Sequence, residues 1–422
     1  MEMIDRIGVN FLKNTYLIVG VYILLGSIIE KKSIDRIISS IFKTFIGMFI
    51  MEIGVDVIGK SVSNLNYLIP KAFKFIGVIP QNEGAAALGE FRYGDVINSI
   101  LFLGMAINIL IAKFTRFKYI FLTGQQMIYM SSLLAIIMIP FGISHNIAII
   151  IGGILLGIMM SIFPHILHPY TKIITKNNNI AVGHFSTIGF YLSSQIGKLF
   201  KQREKSENKN KLTKFNGILF DTTLVTAFFM VFIFTISSII SGKGYVEDIS
   251  GGTNFLIFSF KQGLIFAAGV YIILNGVRML IQEIIPAFRG IAKRLVPEAI
   301  VALDISILFP YKENIMLLGF LFSFLGGIFS MYMTSIYRVE VILPSVLIHF
   351  FTGGGCGMYG YSTGGKKGCI IASFLVGILI GICPLLLLDH YKEMEFHKLA
   401  FGEIDLSLVG YILKKVLSSF KI

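Results

Sequence analysis

Charge is scarce in this chain. Of 422 residues only 14% are Asp, Glu, Lys or Arg, against 55% hydrophobic, and the mean hydropathy is +0.78. Soluble domains carry about 25% charged residues, so a water-soluble body of this size is excluded. Cysteine is also sparse. Cys356, Cys369 and Cys383 stand in or beside the last apolar segments; they show neither metal-ligand spacing nor a disulfide framework and read as small buried hydrophobes. No small-residue cleavage site follows the first apolar run, 15–29, so no cleavable signal peptide is expected. The stretch GYSTGGKK, 360–367, approaches a phosphate-binding loop, but Lys367 stands where the magnesium-holding Ser or Thr belongs. With no strand signal before it, a nucleotide loop is set aside. A membrane-embedded hydrolase is set aside too, because no nucleophile–base pairing is visible.

What the chain has is long apolar runs, such as 219–241 and 369–388. Each approaches the roughly 20 residues that cross hydrocarbon as a helix. The expected fold is an all-α polytopic protein of the cell inner (plasma) membrane. Full-length candidates lie near 10–29, 36–58, 97–112, 119–140, 146–163, 218–241, 255–283, 314–336 and 369–388; with shorter pieces, about 10–11 transmembrane helices are expected. The net charge of +13 is placed between these spans, at Lys31, Lys32 and Arg36, at Lys113, Arg116 and Lys118, at 198–214, and at Arg289, Lys293 and Arg294. Cytoplasmic loops are enriched in Lys and Arg, and a chain that starts outside puts all four on one side. The basic residues are therefore assigned to the cytoplasm and anionic lipid, not to nucleic acid.

Other apolar pieces are too short, too broken or too polar to span: 66–95, 180–199, 295–310 and 341–368. Irregular backbone at membrane depth is tolerated only where protein buries it or it lines a watery cavity. Transporters place substrate sites at such broken elements, often in matching positions of two inverted halves. Proline-bounded polar hairpins at 79–84 and around 297–310 fit that pattern. Eight glycines in 353–368 suggest close backbone packing and unwound chain.

Polar groups inside these pieces are costly and stand as functional candidates. They are Asn82 and Glu83 in IPQNEG, Gln125, Gln126 and Tyr129 in FLTGQQMIYM, His184 in VGHFST, and Asp304 in ALDIS. Amide, hydroxyl, imidazole and carboxylate together suit a polyhydroxylated ligand, whose hydroxyls each donate and accept. Competing structural readings exist: interhelical hydrogen bonding for the glutamines, a satisfied core histidine for His184, and an ion pair with Arg278 or Arg289 for Asp304. Arg278 and Glu283 read as architectural charges near a span end. No cofactor and no metal cluster are expected.

The motifs GVIPQNE, KYIFLTGQQ, NIAVGHFSTIGF, the block 276–314 and GGGCGMYGYSTGGKKG occur in order. Together they resemble the membrane (IIC) component of the ascorbate-type phosphoenolpyruvate-dependent sugar phosphotransferase systems (PTS). The resemblance covers about 15–390, giving a permease domain over 1–390 and a C-terminal tail over 391–422. It implies inverted repeats with re-entrant hairpins, a substrate core, a V-shaped dimerisation part and a homodimer. It also implies inward movement of L-ascorbate or a related sugar acid or polyol, phosphorylated by a phosphocysteine on a separate IIB protein that IIA recharges. No residue of this chain would then be phosphorylated. By this similarity the ligand contacts fall on Asn82, Glu83, Gln125, Gln126, Tyr129, His184, Phe185 and Asp304, with Asp304 orienting the acceptor hydroxyl or taking its proton. Gln125 stands where the family usually carries histidine; it can hydrogen-bond but cannot take a proton. The rival function is an ion-coupled secondary transporter using Glu83, His184 and Asp304 as a relay.

Overall fold

The computed structural model describes residues 15–73, 76–200, 222–294, 296, 298–337, 340–396 and 399–420. The basic stretch 201–214 lies outside the described residues. The first half of the chain runs α1 (Thr15–Ile29), α2 (Ile34–Phe73), β1 (Ile76–Pro80), α3 (Asn82–Phe114), β2 (Tyr119–Phe121), α4 (Gly124–Met138), α5 (His145–Thr175), β3 (Ile180–Val182) and α6 (Thr187–Leu199). The second half runs α7 (Thr222–Ser241), α8 (Lys243–Ile249), α9 (Phe255–Arg294), β4 (Ile300–Leu303), a 3-10 turn (Ile305–Tyr311), α10 (Glu313–Tyr337) and β5 (Glu340–Ile342). A helical turn (Val346–Ile348) and a π-helical turn (His349–Gly353) then lead into α11 (Gly354–Ile382), followed by α12 (Leu388–Glu393), β6 (Leu399–Ala400) and α13 (Ile404–Phe420).

This is an all-α polytopic membrane protein. Among the described residues five helices are long and apolar enough to cross a bilayer, and a bent pair, α7 with α8, makes a sixth. Large apolar side chains such as Ile38, Phe42, Phe49 and Ile53 face outward from α2, which suits hydrocarbon and not water. Other apolar segments among the described residues are broken. The stretch 119–140 is β2 followed by a 15-residue helix, too short to span by itself. Conversely, 353–368 is not unwound. It stays helical apart from one break at Gly365, whose φ of +60° favours glycine. The glycines act instead through close approach: a Cβ on Gly319 would lie 2.7 Å from Gly357 Cα, which seats α10 directly on α11.

Short strands replace helix in the broken segments. Each is three to five residues or fewer, rich in β-branched or aromatic side chains (IGVIP, YIF, IAV, IVAL). At membrane depth their backbone groups need partners, and two parallel three-stranded sheets supply them, ordered β5-β1-β6 and β2-β4-β3. The order reveals the internal repeat. The first strand of each half sits at the centre of a sheet, flanked by the second and third strands of the other half. The long helices α2 and α9 take matching places before β1 and β4, are 40 residues each, and pack on one another together with α1 and α7. The sheets, α3–α6, α10, α11 and α13 form the remaining body.

Registers fix which residues correspond. Pro80 pairs with Ala400, and Ala302 pairs with Ala181. Ala181-Val182-Gly183-His184 and Ala400-Phe401-Gly402-Glu403 share the pattern A-x-G followed by a titratable residue. Pro80 is then the counterpart of Ala302, so Asn82 corresponds to Asp304, and His184 to Glu403.

Candidate functional site

Each strand delivers its chain to the start of a helix within a few residues, so unsatisfied helix N–H groups gather where strands end. Asn82 opens α3 just after β1. Its Oδ1 accepts the Gly402 N–H at 2.9 Å, and its Nδ2 donates to Glu403 Oε1 at 3.3 Å. Gly402 is wedged against Ile348 and Pro80, leaving no room for a side chain.

Glu403 is the buried centre. Its Oε2 accepts from the Ser186 hydroxyl and from Thr352 Oγ1, the latter at 2.6 Å. Thr352 projects from the π-helical turn, a local widening that commonly re-aims side chains at functional positions. The two hydroxyls also lie 3.2 Å apart, but each has one proton and both protons go to the carboxylate. Burying an ionised carboxylate is costly unless donors surround it. Three side-chain donors do so here, and among the described residues no Lys or Arg pairs with Glu403.

His184 lies between the two halves. Its Nε2 is 3.2 Å from Gln126 Nε2, 3.8 Å from Asp304 Oδ1 and 3.9 Å from Glu403 Oε1. The Gln126 amide is oriented by its other end, since Oε1 accepts the Phe185 N–H at 3.0 Å. Gln126 Nε2 is therefore a donor, and His184 Nε2 must be the acceptor. Its Nδ1 is a buried atom with no hydrogen-bond partner among the described residues.

Asp304 differs from the rest in exposure. Asn82, His184 and Glu403 are 5, 2 and 3% exposed, whereas the Asp304 side chain is 28% exposed. It caps the 3-10 turn, Oδ2 accepting the Ser306 N–H at 3.2 Å. Its Oδ1 accepts no hydrogen bond among the described residues and lies 3.8 Å from His184 Nε2. Of the two alternative cations, Arg278 pairs with Glu313, and the Arg289 side chain lies outside the described residues. Glu283 pairs with Lys43 at 3.7 Å.

The structure thus brings together Asn82, Gln126, His184 and Asp304. Gln125 is exposed in the first turn of α4, and Tyr129 is buried one turn further on. The Phe185 ring is fully buried, stacked on Phe121 at 5.4 Å and edge-on to Phe163 at 5.9 Å; its backbone, not its ring, serves the cluster. The side chain of Glu83 lies outside the described residues. Sequence reasoning missed Glu403, Ser186 and Thr352. Glu403 belongs to the segment set apart as a tail, which in fact returns through β6 to pair with β1 and packs α13 against α4 and α6. The available signal was the A-x-G repeat between IAVGHF and LAFGEI. Among the described residues no group of three or more His, Cys, Asp or Glu has the arrangement of a metal site.

The comparisons with known proteins agree with this architecture. The chain is 27% identical to the ascorbate-specific PTS system EIIC component of Mycoplasma pneumoniae, over 88% of this chain and 64% of the relative. It therefore spans just under two thirds of the length of the curated relative it matches. Residues 10–405 match the EIIC-GAT family, described as the PTS system sugar-specific permease component, and the match runs past residue 390 to include Glu403 and Asp405. On that match, over most of its length, the chain belongs to the EIIC-GAT family of PTS sugar-specific permease components.

Proposed function

We propose that this chain carries L-ascorbate, or a related sugar acid or polyol, inward and presents it for phosphorylation by a separate phospho-IIB protein. The observation that carries the reading is the open Oδ1 of Asp304, the one partly exposed carboxylate in a cluster otherwise buried and hydrogen-bonded. Phosphoryl transfer depends on positioning and charge stabilisation more than on covalent help from the receiving site. A substrate hydroxyl donates to Asp304 Oδ1, which orients it and takes its proton as the new O–P bond forms. The P–S bond to the IIB cysteine breaks and the sulfur leaves as thiolate. Phosphate goes to the substrate and none to this chain. His184, held in place by Gln126, lies beside the same carboxylate, and Gln125, exposed in the first turn of α4, stands as a further ligand contact.

The sheet β2-β4-β3 begins after the basic segments that hold Lys113, Arg116 and Lys118, Lys172 and Lys176, and Arg289, Lys293 and Arg294. By the positive-inside rule that face is cytoplasmic and receives IIB. The layer of α1, α2, α7 and α9, with its outward apolar side chains, is the part that pairs two copies of the chain. The test compares cells with and without the soluble PTS proteins, using labelled L-ascorbate. Product that appears inside phosphorylated, depends on those proteins and survives an ionophore supports the reading. Unmodified product whose entry an ionophore abolishes identifies an ion-coupled transporter instead.

A further inference from the structure

The start of α6 does not use the cap that its own sequence offers. Ser186 occupies the N-cap place, where a hydroxyl ordinarily accepts an N–H from the first turn. Here its side chain makes no bond to its own helix and donates to Glu403. The capping role is filled from the other half of the chain. Asp405 Oδ2 accepts the Thr187 N–H at 2.7 Å, and Oδ1 accepts the Ile188 N–H at 3.0 Å. Asp405 is fully buried and, among the described residues, has no Lys or Arg partner. Two helix N-termini, those of α6 and of its own α13, supply the compensating partial positive charge. Thr187 in turn donates its hydroxyl to His184 O at 2.9 Å, so the capped turn is the one that carries the histidine. In the A-x-G repeat Asp405 stands where Ser186 stands, five residues after the shared alanine.

We propose that Asp405 is a positioning residue that caps α6 from the opposite half, which frees the Ser186 hydroxyl to hold Glu403 and fixes the turn bearing His184. The cap itself is independent of transport; its consequence for substrate rests on the function proposed above. Without Asp405, Ser186 turns back to its own helix, and Glu403 Oε2 keeps only Thr352.

Hydrogen exchange read by mass spectrometry on the purified full-length chain tests this through peptides covering 183–190. Asp405→Asn, which keeps one carbonyl acceptor and sets an NH₂ against the other backbone N–H, should speed exchange at Thr187 and Ile188 several-fold, part of the effect of losing a helix cap. Ser186→Ala should leave them as in the unmodified chain, and the double variant should exchange faster than Asp405→Asn alone because the substitute cap is gone. Equal deprotection by Ser186→Ala and Asp405→Asn, or a rise as large in α2 as in α6, overturns the proposal. Phosphorylation-coupled uptake of L-ascorbate adds a second readout: Asp405→Asn should raise the apparent KM several-fold with a smaller fall in maximal rate. A fall in maximal rate alone contradicts a positioning role. If the unmodified chain takes up no L-ascorbate, that result counts against the substrate, while the exchange pattern still decides the cap.

Discussion

In the first half of the chain Asn82 follows β1 and His184 follows β3; in the second half Asp304 follows β4 and Glu403 follows β6. The repeat makes two equivalent cross-half pairs from them, Asn82 with Glu403 and Asp304 with His184. The first pair is closed. Its members touch at 3.3 Å, both are buried, and Glu403 has two hydroxyl donors besides. The second pair is open, with 3.8 Å between its nearest atoms, an unpartnered imidazole nitrogen and a partly exposed carboxylate. A deeply buried carboxylate has to collect donors from the protein. A carboxylate that is to receive a substrate hydroxyl must keep an oxygen free. One scaffold, used twice, holds a closed pair in one place and, on the function proposed above, a substrate-receiving pair in the other.

The sharpest way to break this contrast is Asp304→Asn. It keeps shape and the Ser306 bond but removes the proton acceptor. Phosphorylation-coupled uptake should fall by about 10²- to 10⁴-fold, the usual contribution of a general base, while the folded yield from membranes is unchanged. Activity close to that of the unmodified chain would take Asp304 out of the mechanism.

Asn82→Ala attacks the closed pair. It strips Glu403 Oε1 and the Gly402 N–H of their partner, each loss amounting to about 1–3 kcal/mol. Thermal unfolding in detergent should drop clearly, and uptake per folded molecule should change less than in Asp304→Asn. Phe185→Leu has a smaller effect: the ring packs with Phe121 and Phe163, so stability should fall by less than about 3 kcal/mol, the lower end for a full Phe→Ala truncation, with substrate KM unaffected. A KM shift in this variant would place the ring on the ligand. Gln125→His, at an exposed position, should alter stability by no more than about 0.5 kcal/mol, yet make the KM for L-ascorbate depend on pH between about 5 and 8.

Much of this was legible in the sequence, because the bilayer is a demanding solvent. Scarce charge identified the membrane, and isolated polar residues in broken apolar segments pointed to Asn82, Gln126, His184 and Asp304, which the fold brings together. The strands were not legible. At two to five residues they are too short to show a period of two, and their partners lie hundreds of residues away in the other half. Glu403 escaped for a related reason: it lies past residue 390, where the recognisable motifs end, in a segment opened by the polar stretch HYKEMEFHK (390–398). Only pairing of β6 with β1 carries it inside. Phe185, named a ligand contact through the family resemblance, has its ring packed into the core, a placement that residue type alone does not reveal.

The most direct test of the open and closed pairs is a single-turnover phosphoryl transfer from phospho-IIB to L-ascorbate, run on purified Asp304→Asn and Asn82→Ala at equal folded concentration. Asp304→Asn is expected to bind substrate but transfer at least about 10² times more slowly, and Asn82→Ala to transfer within a few-fold of the unmodified chain. Slow transfer by Asn82→Ala together with normal transfer by Asp304→Asn would contradict the assignment of the open and closed pairs.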